Sequence, residues 1–305
     1  MTAMLPADMH FIERGWLSSN SLLLIGQDDT VLIDSGYHSH AEQTVALVRH
    51  ALHGRTLTTL FNTHLHSDHC GGNAAIQSTW RNVKTRIPPG CSDAVRNWDE
   101  VALTYKPTGQ SCPRFAFDDV LQPGTHISAG GRVWDIHAAP GHDPDSVLLF
   151  QSDTGVLVSA DALWEHGFGV VFPEIYEAPG FADVARTLDL IEQLQPRIIV
   201  PGHGRIFTDL SGALARARER LSVFTDTPIK HASHAAKVLI KFHLMAIQGC
   251  PVESLLDWTQ DSGYLNTLHR VHFHSQPIRE WASGLMESLV RSGVLARQDE
   301  WIVNV

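Results

Sequence analysis

Residues 64–69, HLHSDH, place three histidines and an aspartate within six positions. A chain that uses them together must bring other polar groups to the same spot. In an extended segment, residues two apart point the same way, so His64 and His66 can grip one ion from one side. Asp68 and His69 lie past a turn and can face a second ion beside it. Imidazole and carboxylate are the ligand types of zinc, iron and manganese sites, and a catalytic site keeps one position open for water. Accident is a poor account, since the pattern arises by chance in a chain of this length and composition with a probability of about 0.3%. A structural zinc would call for cysteines, yet Cys70, Cys91, Cys112 and Cys250 are scattered, with no CxxC pair.

Four ligands do not complete the shells of two ions, so further ligands are required at other strand ends. PGHD at His142, SAD at Asp161 and PGHG at His203 each follow an apolar run that reads as a strand. Upstream, SLLLIG and TVLID flank Asp28-Asp29 as a hairpin. AEQTVALVRHAL, residues 41–52, has the period of an amphipathic helix, TLTTLFNTH is a strand running into the histidine cluster, and a helix follows Gly71-Gly72. ADVARTLDLIEQL is helical, and the mixture of strands and helices predicts α/β layers rather than a β-barrel. Residues 88–125, rich in Pro, Gly and single aromatics, read as an insertion folding over a site.

The order HxHxDH, His, Asp, His, together with the LIDSG around Asp34, resembles the metallo-β-lactamase superfamily over roughly residues 10–208. The resemblance implies an αββα sandwich with the site at one edge of the paired sheets. It implies that His64, His66 and His142 bind one metal, that Asp68, His69 and His203 bind the other, and that Asp161 bridges them. Asp34 would orient a ligand without binding metal. The division expected is a catalytic domain over residues 1–210 and a mainly helical, winged-helix-like extension over 211–305. In that extension, HAAKVLIKFHLMAIQG and PIREWASGLMESLVRSG are helical by period, and LARQDEWIVNV reads as a closing strand. It carries ten Lys or Arg against nine Asp or Glu, so packing on the main domain or homodimer formation is expected of it rather than duplex binding.

Two divalent ions, zinc first and iron or manganese as alternatives, would carry four positive charges, of which Asp68 and Asp161 cancel two. The rest favours a hydroxide bridging the metals, with Asp68 able to relay its proton. The function this implies is a hydrolase for a carboxylic ester, thioester or lactone of a small molecule, because an Asp in HxHxDH resembles the glyoxalase II, lactonase and RNase Z branches, and one class of β-lactamase. The net charge of −10 argues against RNA or DNA as partner. The N-terminus has no basic start followed by an apolar core, and no apolar run approaches the roughly 20 residues of a membrane span. Cytoplasmic residence is the default, which weighs against an antibiotic-degrading role. The alternative is a non-catalytic ligand-binding or regulatory protein on the same scaffold. A di-iron redox protein is disfavoured, since no Gly-rich phosphate loop after Leu210 marks a flavin module.

His38 and Tyr176 are candidates for the substrate pocket, the first from the loop after Asp34 and the second from GFGVVFPEIYE after Asp161. Core packing explains Tyr176 as well, and an exposed loop explains His38 and His40. His231, His234, His243, His269, His272 and His274 form a second histidine-rich region without shared strand-end context. Cys70 is expected as a small buried side chain rather than a redox thiol.

Overall fold

The runs SLLLI at Ser21–Ile25 and VLVSA at Val156–Ala160 lack the alternation of a half-exposed strand, and both are buried almost throughout. Such strands need cover on both faces of their sheets. The computed structural model, which describes residues 5–305, supplies that cover; residues 1–4, the start of the stretch read for a secretory signal, lie outside the described residues.

One sheet sets β1 (Met9–Ile12), β2 (Ser21–Ile25), β3 (Thr30–Ile33), β4 (Thr59–Phe61), β5 (Lys84–Ile87) and β6 (Asp119–Val120) side by side, antiparallel up to β3 and parallel from β3 to β6. The second contains β7 (His126–Ala129), β8 (Arg132–Ala138), β9 (Val147–Gln151), β10 (Val156–Ala160) and β11 (Ile198–Pro201) in chain order, antiparallel except for the β10–β11 pair. Leu22, Leu24, Val31 and Ile33 meet Trp134, Ile136, Leu149 and Val158 between the sheets. Side chains one residue along point the other way, as the strand period demands. Leu23, Leu32 and Leu60 therefore pack under α1 (Ala41–Leu52), with Ile76 of α3 (Asn73–Thr79), which follows the single turn α2 (Ser67–Cys70).

Residues 88–125 contain α4 (Ser92–Asn97) and α5 (Tyr105–Thr108), and Leu103, Tyr105, Cys112 and Phe115 pack on Leu65 and Cys70 of the histidine loop. The insertion expected there ends early, because β6 pairs with β5 and so belongs to the sheet. On the far side, Leu148, Phe150, Leu157 and Ile199 pack against α6 (Phe181–Leu194) and α7 (Leu210–Asp226). The result is the αββα sandwich expected. The expected division at residue 210 falls where α7 begins, and α7 lays Ala213, Leu214, Ala217 and Leu221 on the second sheet's outer cluster.

From α8 (Pro228–Ile247) the chain continues through β12 (Gly249–Pro251), α9 (Val252–Asp261), α10 (Gly263–Leu268) and α11 (Ile278–Arg291) to β13 (Leu295–Gln298) and β14 (Trp301–Asn304). Trp281, Leu285 and Leu289 of α11 share one buried face with Leu239, Ile240 and Leu265, and the same cluster takes in Val170 and Ile175 from the preceding segment. LARQDEWIVNV forms two strands instead of one, reversing at Asp299 with φ of 53° and joined by β12 into a three-stranded sheet. The polar tripeptide Gln298-Asp299-Glu300 provides the turn. Among the described residues, no helix is long and apolar enough to cross a membrane.

Candidate metal centre

Parallel pairing brings the carboxyl ends of β3 and β4 to one edge, with Ile33 beside Phe61, and those of β10 and β11 to one edge, with Ala160 beside Pro201. β8 runs in the same direction as β10, because each is antiparallel to β9. The residues that follow these five strands therefore emerge together: Asp34, the 64–69 loop, His142, Asp161 and His203. Their ligating atoms fall into two groups, His64, His66 and His142 in one and Asp68, His69, Asp161 and His203 in the other, with the atoms of each group within 4.8 Å of one another.

Asp161 faces both groups. Its Oδ2 lies 3.4 Å from His142 Nε2, and its Oδ1 lies 3.4 Å from His69 Nε2. Asp68 Oδ2 is 3.1 Å from His203 Nε2. His66 Nδ1 and His142 Nε2 approach to 2.8 Å. Several histidines are fixed from behind: His69 Nδ1 bonds Asp34 Oδ2 at 2.8 Å and His142 Nδ1 bonds the Val170 carbonyl at 2.6 Å. Since each of those acceptors needs a donor, Nδ1 carries the proton and Nε2 presents a lone pair inward. His64 Nε2 and His69 Nε2 are buried without a hydrogen-bond partner among the described residues. Buried polar atoms left orphaned in this way are costly unless something binds there.

The charges agree with a cation site. Burial pushes His66 down to about 3, helped by His142, and pushes His64 well down, so both imidazoles are neutral at pH 7. Burial would depress His69 too, but Asp161, Asp34 and Asp68 override it and push its pKa well up, so their field draws to Nε2 either a second proton or a metal in its place. A metal among these carboxylates meets the same negative potential that the His69 proton meets. Imidazoles and carboxylates in two compact groups, with inward lone pairs, fit two divalent ions.

Asp34 is 3% exposed and accepts from Thr63 N at 2.9 Å and Thr63 Oγ1 at 2.7 Å as well as from His69. Its φ of 59° lies in the left-handed region, which aspartate tolerates better than most residues. The loop itself is tied down by residues the sequence did not single out. Ser35 N and Asn62 Nδ2 donate to the His69 carbonyl, Asn73 Nδ2 donates to Asn62 Oδ1 at 2.7 Å, and Ser35 Oγ donates to Asn73 Oδ1 at 2.7 Å. Gly202 is required by close approach, since a Cβ there would sit 2.1 Å from Asp161 Oδ1. Trp16 stacks on His203 with ring centroids 5.2 Å apart, and Trp164 Nε1 donates to Asp161 Oδ1 at 3.1 Å. Trp164, three residues after Asp161, carried a signal in its proximity; Trp16 carried none. Asp143, inside the PGHD motif, is raised to about 7 by burial and sits 3.6 Å from His66 Nε2.

A cavity of about 640 Å³ opens on both groups and is lined by His66, Asp68, His142, Asp161, His203, Trp16 and Trp164, by Thr108 and Gln110 of the insertion, and by side chains of α8. His38 and Tyr176 are not among its lining residues. His38 stands in a 3-10 turn against Tyr37, and Tyr176, 48% exposed, packs on Tyr264. The six histidines of the second rich region join neither ligand group: His231 accepts from Val171 N, His243 stacks on Trp258 and His269 bonds the Gln276 carbonyl. Cys70 is buried, with its thiol pushed well up by burial.

Residues 14–203 match a family model described as the Metallo-beta-lactamase superfamily. The chain is 30% identical over 234 residues to a hydroxyacylglutathione hydrolase of Anaeromyxobacter dehalogenans, covering 75% of this chain and 78% of that protein. It is 26% identical over 239 residues to a beta-lactamase-like protein 2 homolog of Drosophila melanogaster, covering 73% and 74% of the two chains. In fold it is similar to a metallo-beta-lactamase family protein from Thermus thermophilus, with a TM-score of 0.61 at 17% identity over 99% of this chain and 100% of that one.

Proposed function

Because the chain belongs to the metallo-β-lactamase superfamily, we propose that it is a hydrolase that holds two divalent metal ions and cleaves a carboxylic ester, thioester or lactone of a small molecule. The observation that carries this reading is the pair of ligand groups sharing the Asp161 carboxylate at the head of one cavity. The relative named as a hydroxyacylglutathione hydrolase supports an acyl bond as the target.

In this reading His64, His66 and His142 would hold one ion, and Asp68, His69 and His203 the other, with Asp161 between them. Zinc suits the donor set, as iron or manganese would. The chemistry such ions supply when bound is Lewis acidity, which lowers the pKa of water to about 7 and polarises a carbonyl. The chain's own residues would do the rest. Asp34 fixes the His69 ring through Nδ1, and the Val170 carbonyl fixes His142 in the same way. Asp68, which faces the cavity, would accept the proton of the attacking water at a carboxylate oxygen and pass it to the leaving group. Trp16 and Trp164 pack on the His203 ring and wall that side of the cavity.

His66→Ala and Asp161→Ala test the assignment. Each should lower bound metal and hydrolysis together, measured by elemental analysis and by a panel of esters, thioesters and lactones on the same sample. Two metals per chain retained in both variants would refute it.

A further inference from the structure

The α8 wall of the cavity has a chemistry of its own. This helix turns His234, Lys237, Val238, Lys241, Phe242 and Met245 toward the space. These recur at spacings of one to four residues along one face, and from His234 to Met245 the helix rises about 16 Å. Val238, Phe242 and Met245 give this wall apolar surface, interleaved with its basic side chains.

Arg220, Lys237 and Lys241 line the cavity, and no salt bridge to a carboxylate side chain is found for any of them among the described residues, in a chain with 33 acidic residues against 23 basic. Their partners differ in a useful way. Lys241 Nζ is saturated, donating to the Val294 carbonyl, Asn304 Oδ1 and the Val305 main-chain oxygen. Lys237 donates only to Ser288 Oγ at 2.9 Å, which leaves two of its three donors free. Arg220 donates to His234 Nε2 at 2.8 Å and lies over the rings of Phe168 and Phe224, which leaves most of its five donors free. His234 joins them, since burial together with Arg220 and Lys237 pushes it down to about 4. It is neutral at pH 7 and accepts from the guanidinium.

Partly buried cations with spare donors are costly unless an anion meets them. We infer that the substrate carries an anionic group, a carboxylate or phosphate, on an apolar arm leading away from the scissile acyl bond, and that Lys237 and Arg220 receive that group. The inference rests on the acyl-hydrolase reading for the position of the bond, and on the cavity alone for the anion.

The test uses the full-length, metal-replete protein and three hydroxamates of octanoic acid, whose eight-carbon chain ends in a methyl group, a carboxylate or a phosphate. The hydroxamate anchors each at the metals, and calorimetry reads the effect of the tail without any turnover. At least one anionic tail should bind tenfold or more tighter than the methyl tail, and the preference should shrink as ionic strength rises. Lys237→Gln should shrink the preference and Lys237→Arg should keep it; comparing carboxylate with phosphate identifies the group. Equal binding of all three tails by the native protein, or a preference unchanged in Lys237→Gln of native circular dichroism, overturns the inference. The matching 4-nitrophenyl esters separate the two readings. A charge preference in binding with no ester, thioester or lactone cleaved would retire the hydrolase and leave the anion site standing, whereas cleavage with no preference would do the reverse.

Discussion

Asp34 is the residue on which the loop geometry converges, because one buried carboxylate accepts from the Thr63 main chain, the Thr63 hydroxyl and the His69 ring. Asp34→Asn keeps the volume and tolerates the φ of 59°, yet turns an NH2 group toward a donor. The expected result is metal affinity about 10 to 100-fold weaker, read by competition with a chromophoric chelator. A stability loss of about 1–3 kcal/mol in denaturant titration should accompany it. Native affinity in this variant would show that Asp34 does not orient His69. Asp34 was legible because LIDSG is a local pattern. Asn62 and Asn73 were not, since an asparagine in a loop looks alike whether it faces solvent or ties a ligand's carbonyl.

At the scale of elements, α8 carries its own pH dependence. Burial, then His234 and Arg220, pushes His231 down to about 3, while its Nε2 accepts from Val171 N. The folded state keeps this imidazole neutral, and the unfolded chain protonates it at about 6.5. Its contribution is therefore fully present above about pH 6.5 and is lost as pH falls toward 3, because only the unfolded state gains the proton across that window. His231→Gln, which can still accept from Val171, should flatten the fall of Tm between pH 6.5 and 4 relative to the native protein. Parallel curves would sink this account. The helices α1, α6 and α11 were readable from period, since burial on one face leaves its mark every three to four residues, and the buried strands from short apolar runs bounded by turn residues. The single turn α2, the pairing of β6 and the β13–β14 hairpin were not. Segments of two to four residues are too short to show a period, and their conformation is set by hydrogen bonds to distant partners.

Across the whole molecule, the candidate ligand groups join strand ends from both sheets, so metal bound there would link the two halves of the sandwich. A ligand that binds only the folded state stabilises it by about 4 kcal/mol at a thousandfold excess over Kd. Removing metal with a chelator should lower Tm by roughly 10 °C on that basis, and adding zinc should restore it. A Tm that ignores complete metal removal would mean that the strand ends are held without metal.

By itself the sequence singled out the candidate ligands and their strand-end settings, because an apolar run followed by His or Asp is a short-range pattern. The layers followed from apolar runs of strand length and from helix period. The resemblance already implied which ligands share a group and that Asp161 lies between them; only the tertiary structure decided that Trp16 stacks on His203 and that Arg220 meets His234 in a wall of the same cavity that Lys237 also lines. Those pairings join residues brought together by strand register and helix packing, and distance in space has no counterpart in the order of residues along the chain.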